Sequence, residues 1–207
     1  MCTRSALPQI LQVFAAKDPE EMAARSGAVF QEGEFILKYC NFPLRISYPG
    51  GEVDWCQTEH DTKLLAITHE ERVVILKYLS TAVGLPSRGQ WVSFHELKGG
   101  PLHWKPFSRE ALEPLANSYH HRRELFLDLG LKHGGIPFEQ GDAGLVIPVL
   151  PRLDLAFVLW KGGEEFAPRS TILFDTVAEA YFPTAVLYIL GIQTVIRVWF
   201  PGDTRFD

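Results

Sequence analysis

The sequence predicts a single α+β domain in which several helices pack on a central, mostly antiparallel sheet. Three observations support this fold class. The chain has 207 residues, of which 46% are hydrophobic, enough for one contiguous core. Helix-forming and strand-forming segments follow one another in blocks rather than in regular β-α-β order, which favours α+β over a doubly wound sheet. No repeat, linker or low-complexity segment divides the chain, so we expect one domain over residues 1–207 with a mobile tail at residues 200–207.

Two helix starts are marked by residues spaced as capping boxes. Asp18 and Glu21 form the first pair, and Thr68 and Glu71 form the second. Hydrophobic residues after the second pair recur with a period near 3.6, which predicts an amphipathic helix. Residues that end helices follow each segment: Gly27, Gly84 and Pro86.

Strand signals lie on either side of the second helix. Residues 34–48 are rich in β-favouring side chains in two runs separated by Asn41-Phe42-Pro43, so we expect a hairpin. A third strand is expected at residues 52–55, after a Pro-Gly-Gly turn. Residues 90–94 predict a further short strand.

The second half of the chain predicts a longer helix, a meander and a final helix. Four apolar residues share one face of the longer helix, and Pro114 must lie in its first turn or mark a kink: Leu112, Leu115, Tyr119 and Phe126. Three apolar strands follow, at residues 145–150, 155–160 and 170–174, and their short connections predict an antiparallel meander. Pro183 opens the last helix, which we expect to reach Trp199.

Charge and cysteine content narrow the functional classes. The net charge is −5 and no basic stripe is present, so we expect no nucleic-acid partner. The three cysteines include no Cys-x-x-Cys pair, which is typical of a reducing cytoplasm, and Cys40 fits a small buried side chain. We expect no signal peptide and no membrane span, since the most apolar stretch, residues 185–199, is shorter than the roughly 20 residues that a span needs.

Common catalytic motifs are missing from the sequence. It has no phosphate-binding loop, no dinucleotide fingerprint, no nucleophile elbow and no paired zinc-ligand motif. Seven histidines are present, but none pairs at i, i+4, and neighbours such as His120 and His121 point about 100° apart on a helix. We therefore predict no metal site, and the cofactor is unknown.

One candidate cluster follows the second strand of the meander. The residues that could act are Trp160, Glu164, Glu165, Phe166 and Asp175. Paired carboxylates beside an aromatic ring can act as acid and base or bind a cation. The alternative is structural: a polar turn at Glu164 and Glu165, with Asp175 capping the next segment.

A second candidate cluster surrounds the short strand at residues 90–94. Trp91 and Phe94 can wall an apolar pocket that His95 and Glu96 would face. The alternative is a strand leading into a turn, with Ser93 as a cap and Glu96 as its capping-box partner.

These two clusters resemble a prokaryotic family, the domain of unknown function 3786, over residues 19–197. The resemblance is strongest in residues 91–97, 159–166 and 172–175, where the family pattern is similar to Trp-x-Gly-Asp-Glu-Glu-Phe-Pro followed by Leu-Phe-Asp. Two positions depart from that pattern: Gly163 stands where the family has an acidic residue, and His95 where it has an arginine. The departures argue against a shared ionic mechanism. The resemblance implies a prokaryotic, cytoplasmic protein and, by analogy with relatives fused to iron–sulfur segments, a cofactor-related role.

Three functional hypotheses follow. The leading one is a small-molecule or cofactor-binding accessory domain, with both clusters lining one pocket. The second is a hydrolase- or lyase-like enzyme using Glu164 or Glu165 with His95, although no catalytic residue is assigned. The third is a protein-interaction module without a catalytic site. Convergence of the clusters favours the first two, separation by more than about 15 Å argues against both, and an exposed apolar patch favours the third.

Overall fold

A computed structural model describes residues 3–56 and 64–203 and confirms the α+β class. The strands form two antiparallel sheets, one of four strands and one of five, rather than one central sheet. Of the tail predicted at residues 200–207, residues 204–207 lie outside the described part, and Phe200 belongs to the hydrophobic core.

The N-terminal region contains one predicted helix and one that the sequence did not predict. Helix α2, Pro19–Ser26, begins where Asp18 accepts a hydrogen bond from the Glu21 backbone N–H, and it ends at Gly27 with a φ of 77°. Before it lies α1, Thr3–Ala15, which was missed because Pro8 interrupts its pattern.

The four-stranded sheet has the order β1-β2-β3-β4. Its strands are β1 (Val29–Gln31), β2 (Glu34–Tyr39), β3 (Phe42–Ser47) and β4 (Val53–Trp55). The predicted hairpin is confirmed, but its turn lies at Cys40 and Asn41 rather than at residues 41–43. These two residues have φ values of 46° and 70°, as a type I′ turn requires. The Cys40 N–H donates to the Val149 carbonyl at 3.0 Å, which links this sheet to the other one.

Helix α3, His69–Thr81, begins at the predicted capping box of Thr68 and Glu71. The long C-terminal helix α8, Thr184–Trp199, lies beside it and follows Pro183 as predicted. Glu71 and Arg197 are both buried and join the two helices through hydrogen bonds from the Arg197 Nε and Nη2 atoms.

The predicted longer helix is divided into separate segments. They are α4 (Gly100–Phe107), a π-helical turn (Ser108–Leu112), α5 (Glu113–Tyr119) and α6 (Arg123–Lys132). Pro114 lies in the first turn of α5, as predicted. Phe126 belongs to α6, so it does not share a helix with Tyr119 as expected, because the chain turns between residues 119 and 123.

The five-stranded sheet has the order β5-β9-β8-β7-β6 and contains the predicted meander. The strands are β5 (Trp91–Ser93), β6 (Ile136–Pro137), β7 (Ala143–Leu150), β8 (Leu153–Trp160) and β9 (Arg169–Asp175), and α7 (Ala178–Tyr181) follows them. Alternate residues define an inner and an outer face. The inner face packs on helices: Phe157 contacts Trp199 of α8 at 4.7 Å between ring centroids, and the Ser170 hydroxyl donates to the Leu112 carbonyl.

Within residues 3–56 and 64–203, no helix combines the length and hydrophobicity needed to cross a membrane.

Candidate functional site

The outer face of the five-stranded sheet carries apolar side chains at half-buried positions. Ile136 pairs with Val146, Val146 with Ala156, Ala156 with Leu173, and Leu173 with Ser93, so one row crosses all five strands. Ile136 is 61% exposed at the edge of the row. An antiparallel sheet with a solvated face usually carries polar residues there. This row is therefore unusual for a face that solvent reaches.

Two aromatic rings from opposite edges meet over this face. Trp91 of β5 and Phe138, just after β6, have ring centroids 5.7 Å apart. Between the two rings, the residues on the outer face are small. Ala156 is fully buried, and a Cβ on Gly144 would lie 2.4 Å from the Phe138 carbonyl oxygen. The segment of residues 138–141 therefore folds directly onto the strand, and only glycine fits at position 144.

Trp160 ends β8 on the same outer face. The Arg169 guanidinium carbon lies 4.4 Å from the centroid of its ring, and the two residues are paired across β8 and β9. This cation–π contact orders the start of the turn that joins the strands.

The β8–β9 turn, residues 161–168, projects beyond the end of the sheet. It closes where the Gly163 N–H donates to the Phe166 carbonyl, and Gly162 has a φ of 73°. Phe166 is 74% exposed, and Glu164 and Glu165 are exposed beside it. A cavity of about 490 Å³ opens here between the turn and two histidines, His120 and His121. We call it the turn cavity.

The two histidines lie closer together than their helical spacing suggests. Their ring centroids are 3.9 Å apart, because α5 ends at Tyr119 and the chain leaves the helix at this point. The His120 Nδ1 lies 3.1 Å from the Ala116 and Asn117 carbonyl oxygens, so this nitrogen can donate a hydrogen bond to the end of α5. Among residues 3–56 and 64–203, no group of three or more His, Cys, Asp or Glu side chains is arranged to hold a metal ion.

Asp175 lies on the outer face but is fully buried and saturated with hydrogen bonds. Its Oδ2 accepts from the Ser87 hydroxyl and from the N–H groups of Arg88 and Gly89, and its Oδ1 accepts from the Val177 N–H, all within 2.8 Å. The carboxylate thus holds the loop before β5 against the end of β9, beyond the simple capping role expected from the sequence.

The neighbouring Asp154 shows the electrostatic effect of this arrangement. Burial raises its pKa, a hydrogen bond with Ser87 acts in the opposite direction, and the nearby charge of Asp175 raises it again. Asp154 and Asp175 therefore influence each other at this end of the sheet, where the Ser87 hydroxyl donates to Asp175.

The remaining residues of the second cluster have structural contacts. Phe94 is fully buried and stacks on Phe107 with ring centroids 4.0 Å apart, on the helical side of the sheet. Glu96 accepts a hydrogen bond from the Ser93 N–H, which lowers the pKa of its carboxyl group. Glu96 is therefore the capping-box partner of Ser93, the structural role given above as the alternative. His95 is exposed and lies edge-on to Trp104.

The two predicted clusters are not brought into one pocket. Trp91 pairs with Asp175 at one end of β9, and Trp160 pairs with Arg169 at the other. Six residue steps of about 3.3 Å separate those ends, a distance of about 20 Å. The turn cavity contains Glu164, Glu165 and Phe166 but none of residues 91–96. The outer face connects the two ends, with Trp91 near one and Trp160 near the other.

Sequence reasoning missed several residues of this site. They are Phe138, Val146 and Leu173 on the outer face and His120 and His121 in the turn cavity. One signal was present: β7 and β8 are apolar at nearly every position, which is typical of strands covered on both faces. The contact between Trp91 and Phe138 left no signal, because it depends on the strand order.

Comparison with known proteins identifies the family. The family model described as Domain of unknown function (DUF3786) matches residues 18–197, well over half of the chain. The chain therefore belongs to this family, and the resemblance drawn from its motifs is confirmed. No curated protein and no solved structure matches the chain.

Proposed function

We propose that this member of the domain of unknown function 3786 family is a protein-interaction module whose contact surface is the outer face of the five-stranded sheet. The observation that carries the proposal is the apolar row from Ile136 to Leu173, in which Ile136 is exposed, Val146 and Leu173 are half-buried and Ala156 between them is buried. Exposed apolar surface marks interaction sites in soluble proteins.

The aromatic residues favour a protein partner over a small molecule at this face. Trp and Phe are enriched at the centres of protein interfaces, where large rings bury much area at a low entropic cost. Trp91 and Phe138 already contact each other, which fixes their positions before a partner arrives. We propose that the partner presents an apolar surface that covers Val146 and Leu173.

The charges around the face suggest the edges of the contact. Arg169 is exposed at one end, and Glu164 and Glu165 are exposed on the adjoining turn. Charges at the rim of an interface mainly affect the rate of association and the choice of partner.

We propose that the protein meets this partner in the cytoplasm of a prokaryotic cell.

Site-specific crosslinking tests the proposal. A photo-crosslinking residue at position 173 or 146 should yield a discrete crosslinked protein in cells, and the mass of the product distinguishes a second copy of this chain from a different protein. The matched control is position 29, which is 57% exposed on the edge strand of the other sheet. The substitution Leu173→Lys should abolish a crosslink formed from position 146.

The same crosslinking experiment can contradict the proposal. If positions 173 and 146 give no more product than position 29, or if Leu173→Lys leaves the product unchanged, the outer face is not a contact surface. Melting temperatures of all variants must stay close to that of the parent, since an unfolded variant would also lose its partner.

A second candidate function is small-molecule binding in the turn cavity. Its volume of about 490 Å³ lies within the range of roughly 300–1,000 Å³ common for ligand sites, and three predicted binding residues line it. Glu164 and Glu165 have no ion-pair partner among the described residues, and His120 and His121 line the opposite side of the cavity. The cavity therefore offers two carboxylates beside one cation, Lys161.

Native mass spectrometry of protein purified without oxygen tests this second function. A reproducible added mass that the Glu165→Gln variant loses would support it, whereas the control Glu20→Gln, at the exposed start of α2, should retain the added mass. A clean mass of the unliganded chain would contradict a tightly bound ligand. Catalysis by Glu164 or Glu165 with His95 is not proposed further, because the turn cavity is lined by both glutamates but not by His95.

A further inference from the structure

A separate cavity of about 440 Å³ opens beside the helical segment that joins α4 to α5. Its lining residues are Trp104, Lys105, Pro106, Ser108, Arg109 and Glu113. All of them belong to α4, the π-helical turn or the first residue of α5. The cavity is therefore distinct from both the outer face and the turn cavity.

The π-helical turn determines which charges are available in this cavity. In a regular α-helix, Arg109 and Glu113 are four residues apart and would pair. Here the Glu113 N–H donates to the Ser108 carbonyl, five residues back, and the Ser108 hydroxyl donates to the Glu113 carboxylate at 3.1 Å. The extra residue in the turn thus pairs Glu113 with Ser108 instead of with Arg109. Such π-turns occur frequently at functional sites.

The other nearby carboxylate is also engaged. Glu110 accepts a hydrogen bond from the Tyr188 hydroxyl at 2.7 Å, and its other oxygen lies 3.4 Å from the Arg109 Nη2. The Arg109 side chain is 73% exposed, and an exposed contact of that length contributes little. Lys105 has no charged partner among the described residues. Two cations therefore line the cavity, and its lining carboxylate, Glu113, already accepts a hydrogen bond from Ser108.

Trp104 provides the apolar part of the cavity. It is half-buried, and the His95 ring lies edge-on to it with centroids 5.8 Å apart, which supports its orientation. An indole beside a guanidinium and an ammonium offers stacking together with charge.

We propose that this cavity binds an anionic ligand in which an oxyanion, phosphate or carboxylate, is attached to a flat ring. Arg109 can hold the oxyanion through two parallel N–H donors, Lys105 adds a second positive charge, and Trp104 stacks on the ring. A cavity of about 440 Å³ accommodates a ligand of this size. The inference does not depend on the outer face being an interface.

Titration of the isotope-labelled full chain with phenyl phosphate, benzoate and inorganic phosphate tests the proposal. We expect saturable shifts of the Trp104 indole N–H and the Arg109 Nε–H in nuclear magnetic resonance spectra. Phenyl phosphate should bind more tightly than inorganic phosphate, because only the former stacks on Trp104. Affinity should fall as salt is added, since the cations are exposed. The absence of saturable shifts with all three probes would overturn the proposal.

Three variants make the test specific. Arg109→Gln should weaken phenyl phosphate binding about tenfold, the lower limit for losing hydrogen bonds to a charged group. Glu113→Gln should leave binding equal or stronger, because it removes a negative charge. Lys38→Gln, on the exposed side of β2, is the matched control for losing one surface cation. Equal weakening by Arg109→Gln and Lys38→Gln would show nonspecific attraction and would contradict the assigned site.

Discussion

At the scale of single residues, Asp175 shows how a predicted functional residue can be structural. Its carboxylate accepts four hydrogen bonds, three of them from residues 87–89 and one from Val177. The sequence predicted a carboxylate at the end of a strand but not its partners in the loop before β5. Those partners lie more than 80 positions away along the chain, where spacing patterns carry no information.

The substitution Asp175→Asn tests this role. An amide has one acceptor oxygen instead of two, so at least one buried N–H loses its partner. We expect a loss of about 2–3 kcal/mol in the free energy of unfolding, measured by urea denaturation. Hydrogen exchange at Arg88 and Gly89 should accelerate. The control Asp54→Asn, exposed on β4, should change stability by less than about 0.5 kcal/mol. Equal stability of both variants would contradict the assignment.

At the scale of elements, the contact between α3 and α8 includes one buried ion pair, Glu71 with Arg197. Burial lowers the pKa of Arg197, and its pairing with Glu71 more than reverses that effect, so the pKa of the guanidinium is raised. Arg197 also donates to the Leu65 carbonyl and lies over the Trp55 ring, with its Cζ 5.2 Å from the ring centroid. One side chain thus joins α8 to β4 and to the segment before α3.

The substitution Arg197→Met should cost about 3–5 kcal/mol, because it leaves the buried Glu71 carboxylate without an opposite charge. Adding Glu71→Gln should recover part of this loss, since an amide carries no charge but still accepts from the Thr68 N–H. Arg25→Met, in the exposed pair with Glu21, is the control and should cost less than about 1 kcal/mol. If the variant with both Arg197→Met and Glu71→Gln is less stable than Arg197→Met alone, the unpaired charge of Glu71 is not the cause of the lost stability.

Elements with strong local signals were predictable from the sequence. The start of α3 at Thr68, the start of α8 after Pro183 and the three meander strands follow from caps and hydrophobic runs. Helix α1, strands β1 and β6 and the π-helical turn were not predicted. Strands of two or three residues are too short to show a period, and the π-turn depends on how α4 and α5 pack. The outer face was unpredictable for the same reason, since Trp91 and Phe138 meet only through the strand order.

At the scale of the whole molecule, we expect the two sheets to unfold together. The buried side chains form one core that extends across both sheets, and the Cys40 N–H donates to Val149. Transitions in urea followed by far-ultraviolet circular dichroism and by tryptophan fluorescence should therefore coincide. Two separate transitions would show that residues 1–207 are not one domain.

Cys40 offers a direct probe of this cooperativity. Its thiol is fully buried, and burial raises its pKa well above the ordinary value, so it is unreactive in the folded state. With Cys2 and Cys56 replaced by serine, Cys40 is the remaining one of the three cysteines. A thiol reagent should then modify the chain only as fast as the sheets separate. Rapid modification under native conditions would indicate local opening between them.

Substitutions on the two faces of β8 should have different effects in a cell. Leu155, Phe157 and Leu159 point to the helices, so substitutions there should lower the amount of folded protein in a cell. Asp154 and Trp160 alternate with them on the opposite side, where changes should alter fitness at unchanged abundance if a partner is held there. A complete mutational scan that records abundance and growth separately should therefore show loss of abundance throughout residues 155–159, where Ala156 and Val158 are buried as well, and growth effects without loss of abundance at the half-buried positions 154 and 160.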